Sequence, residues 1–115
     1  MNVPSPVDAS WVLWLSSENE EVTVGFDRWH GHYGQWGADA TDAYREGLEM
    51  VDAILKEECA AQVFFRSENW IGSEVVGAGD GLDDSVTEWR QLGATRMYRR
   101  SWLGSLNSER QLSSP

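Results

Sequence analysis

The chain alternates between short apolar runs and polar or glycine-rich breaks. Residues 11–15, Trp-Val-Leu-Trp-Leu, form an apolar, aromatic run of strand length. A polar turn over 16–20 leads into residues 21–26, which alternate strictly. Val22, Val24 and Phe26 face one side and Glu21, Thr23 and Gly25 the other, as a half-buried strand requires. The two runs predict an opening β-hairpin. Between 41 and 58 the period changes: Ala43, Tyr44, Gly47, Leu48, Val51, Ile54 and Leu55 recur three and four residues apart and form one apolar stripe of a helix. Asp42, Glu46, Glu49 and Glu57 fall on the opposite side. Asp39 or Thr41 can cap this helix, and early acids suit the positive end of its dipole. Gly47, on the stripe, permits close approach to a sheet.

The period then returns to two. Residues 61–66 predict a strand, 67–69 a turn and 70–76 a return strand. Residues 77–84 are loop-like, and 85–92 fit either a short helix or an irregular connection. Residues 95–102 predict a last strand, whose arginines place it at a sheet edge. The order β-β-α-β-β-β predicts an α+β fold: an antiparallel sheet of about five strands with one amphipathic helix packed on it. The expected domain covers 11–107. Residues 1–10 and 108–115, rich in Ser, Pro and polar side chains, are expected as flexible ends.

Composition narrows the class. A chain of 115 residues is one domain with a real core. Hydrophobic content of 41% and seven tryptophans exclude a disordered acidic tail, despite a net charge of −10. No apolar run approaches the ~18 residues of a membrane span, and the first ten residues have neither the basic start nor the apolar block of a secretory signal. The single cysteine, Cys59, cannot form an intramolecular disulfide and fits a reducing compartment, so a cytoplasmic location is expected. Charge is unevenly spread. Residues 1–88 hold eighteen acids against four basic residues, a balance of −14, whereas 89–115 hold five arginines against one acid, a balance of +4. Such a field repels nucleic acid and membrane surfaces and speeds encounter with basic partners. Solubility alone also accounts for acidity of this size.

The segment 26–36, Phe-Asp-Arg-Trp-His-Gly-His-Tyr-Gly-Gln-Trp, concentrates the unusual chemistry. It holds both histidines, and its position between strand and helix predicts a connection at one end of the sheet. His30 and His32 are two apart, so in extended backbone both imidazoles can reach one metal ion, with Asp27 or the carboxylates of Asp80, Asp83 or Asp84 as further ligands. The plainer reading has one histidine ordering the loop and the other solvated. Residues 79–84 lack the ligand spacing of a calcium loop. No nucleophile elbow or phosphate-binding glycine loop is present, and Cys59, near a helix C-terminus, is a poor nucleophile. The alternation of Arg96, Tyr98, Arg100 and Trp102 has the form of a nucleic-acid platform, but in so acidic a chain these arginines are expected to pair internally.

The outer helix face, Asp42, Glu46, Glu49 and Glu57, is the strongest continuous acidic feature. It is either an ordinary solvated face or a docking surface for a basic partner. Trp29, Tyr33 and Trp36 are natural anchors beside it, because rigid rings fill pockets at low entropic cost.

Several segments together carry a resemblance: the run Val24-Gly25-Phe26-Asp27-Arg28-Trp29-His30-Gly31-His32-Tyr33, the helix from Ala43 to Leu55, the strand Val63 to Phe65, and the ending Arg100-Ser101-Trp102-Leu103-Gly104. Over about residues 11–107 the chain resembles small acidic immunity proteins of bacterial polymorphic toxin systems. The resemblance implies a non-enzymatic protein that binds a cognate toxin, often a nuclease, and covers its active site. It implies no contact residues. Those come from charge and aromatic content: Trp29, His30, His32, Tyr33, Trp36, Asp42, Glu46 and Glu49, meeting a basic toxin domain without cofactor, nucleic acid or membrane. The alternatives are a small metal-binding protein or enzyme using His30, His32 and Asp27, and an accessory domain that homodimerises through a sheet edge.

Overall fold

A computed structural model of the protein describes residues 2–18, 21–34, 40–81 and 86–112. It is α+β, with two four-stranded antiparallel sheets rather than one sheet of five strands. In the first, β1 (Asn2–Pro4), β2 (Val12–Glu18), β3 (Glu21–Phe26) and β4 (Trp29–Tyr33) lie in sequence order. The second runs β6-β5-β7-β8, formed by β5 (Cys59–Arg66), β6 (Asn69–Gly77), β7 (Arg96–Arg100) and β8 (Ser108–Gln111). Helix α1 (Ala40–Leu55) joins the sheets, and a short α2 (Val86–Gln91) connects β6 to β7.

The register follows from strand parity. Leu13 pairs with Phe26 and Leu15 with Val24, and on β4 Trp29 pairs with Phe26 and Gly31 with Val24, so these residues share the inner face. Trp14, Gly25 and His30 line up on the outer face, as do Ser16, Thr23 and His32. Segment 26–36 is therefore not a plain strand-to-helix connection: its first part is a strand, entered through a tight turn at Asp27 and Arg28. Asp27 has φ of 56°, which aspartate tolerates better than most side chains. The alternation Trp-His-Gly-His-Tyr is a period of two, disguised because its outward members are imidazoles and one inward member is a glycine.

Helix α1 lies against β3 and β4. A Cβ built on Gly47 would lie 2.7 Å from Val22 Cγ1, so the expected close approach at this glycine is present. Ala43, Gly47, Val51 and Ile54 are buried. The rest of the expected stripe is not: Tyr44, Leu48 and Leu55 are 44%, 53% and 42% exposed. At 100° per residue the seven apolar positions span a wider arc than one sheet face covers. The flank bearing positions 44, 48 and 55 is left outside.

Strand β7 is not an edge, contrary to the expectation from its arginines: β5 pairs with it on one side and β8 on the other. Each guanidinium has its own place. Arg99 is buried and donates to Gln62 Oε1 at 3.0 and 2.7 Å, to the Asp80 carbonyl at 2.8 Å and to that of Gly81 at 3.2 Å. Arg96 lies over the Phe65 ring at 4.2 Å, and Arg100 over Trp11 at 4.4 Å and Tyr98 at 4.3 Å. Seven consecutive residues of β5, Cys59 to Phe65, are buried because both of its faces are covered. On one face Phe64, Val86, Ala94, Met97 and Leu112 form a second core, with Trp89 of α2 stacked on Phe64 at 4.4 Å and 7°.

The chain ends, placed outside the domain by the sequence, supply both remaining strands. Asn2–Pro4 pairs with β2 and Ser108–Gln111 with β7. Ser5 is buried and donates to the Trp102 carbonyl at 2.7 Å, and the Leu112 amide donates to Thr95 at 2.9 Å. These strands are held by a neighbour's backbone rather than by apolar pattern, so the sequence carries little signal for them.

Two carboxylates fasten the parts together. Asp27 accepts from Tyr98 Oη at 2.5 Å and from Arg100 at 3.1 Å, tying the β3–β4 turn to β7. Glu57, expected on the outer helix face, lies beyond the helix end at φ 54° and accepts from Ser101 Oγ and from the amides of Leu103 and Ser105 at 3.1 and 3.2 Å. Burial alone would push its pKa up, but the hydrogen bonds from Ser101, Ser105 and Leu103 outweigh that and hold it below the ordinary 4.5. The ionised form is favoured by folding, so its contribution is complete above about pH 4.5 and is lost as pH falls through the depressed value. Glu57→Gln is expected to flatten this acid limb of the stability–pH curve; urea midpoints between pH 3 and 6 check it, and an unchanged slope would assign the limb to other carboxylates.

Candidate binding surfaces

The expected contact residues separate onto three surfaces. On α1, Glu46 and Glu49 are exposed and Asp42 is partly so. Arg45 pairs with Asp42 at 3.0 Å and lies 3.9 Å from Glu49, and Lys56 pairs with Asp52 at 2.8 Å. These are exposed contacts worth a few tenths of a kcal/mol each, so they do not neutralise the face. On another flank of the helix, separated from Asp42, Glu46 and Glu49 by Arg45 and Asp52, run Tyr44, Leu48 and Leu55, which sequence periodicity assigns to the core. Tyr44 Oη donates to Ser17 Oγ at 3.1 Å, which sets its ring toward β2. The helix thus exposes an acidic face and an apolar stripe on separate flanks.

Trp29 and Tyr33, expected as exposed anchors, are half-buried against the first core. A Cβ on Gly31 would lie 3.0 Å from the Trp29 ring and 3.4 Å from Tyr33 Oη, so the two aromatics flank the glycine on the inner face. Burial, then the nearby Cys59 and Glu46, raise the Tyr33 phenol pKa. Trp36, Asp39, Asp83, Asp84 and the side chain of Thr41 lie outside the described residues.

His30 and His32 are exposed on the opposite face of the same strand. Their ring centroids are 5.0 Å apart and nearly perpendicular, and Trp14 lies 6.4 Å from His30. His32 Nδ1 contacts Glu21 Oε1 at 2.5 Å and Thr23 Oγ1 at 3.0 Å. Ser16, Glu18, Glu21, Thr23 and His32 line a groove of about 260 Å³. Asp27, the nearest expected metal ligand, does not join them, because Tyr98 and Arg100 hold it at the other side of the turn.

The third surface is cationic. Arg96, Tyr98 and Arg100 share a face of β7 and line a cavity of about 390 Å³ with Asn107, Ser108 and Glu109. The expected internal pairing is present: Arg100 with Asp27, and Arg96 with Glu109 at 3.5 Å. Trp102 is not part of this platform; it is buried in the first core, 6.0 Å from Phe26. Asp80, considered as a metal ligand, accepts from the Gly77 amide at 2.8 Å and closes its own turn. Cys59 is buried in β5, and burial followed by the Glu58 charge pushes its thiol pKa up, so it is held as the unreactive thiol.

Among the described residues no helix is long and apolar enough to cross a membrane. Comparison of the chain with protein-family models, with curated proteins and with solved structures finds no match.

Proposed function

We propose that the protein is a non-catalytic cytoplasmic binding protein, an immunity protein that neutralises a basic bacterial toxin domain by direct association. One observation supports this above the others: α1 exposes an acidic face, Asp42, Glu46 and Glu49, and on a separate flank an apolar stripe, Tyr44, Leu48 and Leu55. The carboxylates steer a basic partner into encounter, and the apolar stripe holds it once water is excluded. The resemblance to immunity proteins agrees with this division of labour, and a carboxylate-rich helix suits a cleft built for phosphates. In this reading the helix replaces Trp29 and Tyr33 as the source of anchors, since both rings are engaged by the core.

The test first looks for a basic toxin domain among the neighbouring genes, whose absence would count against the proposal, and then measures association with it. Changing Asp42, Glu46 and Glu49 together to lysine is expected to slow association about tenfold or more at low salt and to flatten its salt dependence. Leu48→Glu is expected to act on dissociation instead. Stopped-flow binding at graded ionic strength reads both, and kinetics unchanged by the triple reversal would sink the proposal.

A further inference from the structure

We infer that His30 and His32 form a two-histidine site for a divalent transition-metal ion such as Zn²⁺, with the Glu21 carboxylate orienting His32. The inference stands apart from toxin binding, since it uses the sheet face opposite the helix. Strand parity turns both imidazoles outward, and both are exposed. Two imidazoles bound to one tetrahedral ion, with metal–nitrogen distances of about 2.0–2.1 Å, have their centroids roughly 5 Å apart. The observed separation is 5.0 Å.

The surroundings of His32 match the outer sphere of a metal-bound histidine. Its Nδ1 faces Glu21 Oε1 at 2.5 Å and Thr23 Oγ1 at 3.0 Å. A carboxylate there keeps the proton on Nδ1 and leaves the Nε2 lone pair to bind, the arrangement that orients ligating histidines generally. Glu18 lies opposite Glu21 in the register and adds negative charge beside the site. Sequence spacing suggests Asp27 as a ligand; the structure removes it and supplies Glu21 in a different role. Among the described residues no three His, Cys, Asp or Glu side chains converge on one point. The other coordination positions therefore fall to water or to an incoming ligand, as in open metal sites.

Calorimetric titration of tag-free protein with Zn²⁺ alone tests this. Saturable uptake of one ion per chain is expected, lost in His30→Thr and in His32→Thr. Both are exposed strand positions where threonine suits the backbone, so the variants should keep the parent far-UV spectrum. Glu21→Gln should weaken binding about tenfold or more while leaving the unfolding midpoint in place. Trp14, 6.4 Å from His30, gives a second readout: Cu²⁺, bound more tightly than Zn²⁺ at such sites, should quench its fluorescence with the same stoichiometry. Uptake that survives the double threonine variant, or no saturable uptake by the parent, overturns the site. Full affinity in Glu21→Gln overturns the role given to that carboxylate.

Discussion

Replacing Phe64 with alanine is expected to cost about 3–5 kcal/mol, the range for a fully buried phenylalanine. Phe64 is 0% exposed at the centre of the second core, whose other buried members are Val86, Ala94, Met97 and Leu112. Its ring carries the stacked Trp89, which in turn fills the space over Gly72, where a Cβ would lie 2.4 Å from the indole. Removing it leaves a void that this small cluster cannot close, because strands on both sides of β5 fix the walls. Against a total stability of about 5–15 kcal/mol for such domains, the loss is a large fraction. It corresponds to a fall in Tm of roughly 12–20 °C at this chain length. Urea unfolding followed by tryptophan fluorescence measures it, and near-UV circular dichroism should show Trp89 released. A loss below about 1 kcal/mol would mean that the second core is not a rigid part of the fold.

Asp27→Ala is the second large effect, expected at about 3 kcal/mol. The Asp27 side chain is 10% exposed and that of Arg100 26%, so the pair is mostly out of water. Its loss leaves Arg100 and the Tyr98 hydroxyl facing each other without an acceptor, and it places alanine at φ 56°, which a Cβ without a polar side chain disfavours. Asp27→Asn keeps the turn and an acceptor and should recover about half of the loss. Tyr98 reports the same contact. Burial first, then the hydrogen bond and charge of Asp27, raise its phenol pKa well above the ordinary 10. The neutral phenol is thus favoured by folding, and stability declines as pH rises beyond 10. Ultraviolet titration of Asp27→Asn should show Tyr98 ionising at lower pH than in the parent. An asparagine variant no better than alanine would put the cost in lost charge rather than in the turn.

How far the sequence can be read depends on which force holds each element. Residues 21–26 and 41–58 carry their own hydrophobic period, so β3 and α1 are legible, and Gly47 announces the close helix–sheet contact. His30 and His32 are legible as a same-face pair because strand parity is geometric. Glu57 is illegible: as a helical residue it belongs to the acidic face, yet the chain leaves the helix two residues earlier and aims it at three donors some 44–48 residues downstream. The role of Glu21 is hidden for a similar reason, since its contact with His32 arises only from the pairing of β3 with β4.

Alternating and helical periods in this chain settle that it is α+β, where its main helix and central strands fall, and that it carries a charge of −10. These are local properties, and each residue's own hydrophobicity and backbone preference express them. The tertiary structure decides that, among the described residues, eight strands form two sheets, that Asn2–Pro4 and Ser108–Gln111 become strands, and that the arginine-rich strand lies inside a sheet. It also decides which part of the apolar stripe stays outside, leaving Tyr44, Leu48 and Leu55 exposed. The reason is that burial is a relation between elements: a helix offers its apolar arc, but only the width of the sheet beneath it fixes how much of that arc is covered.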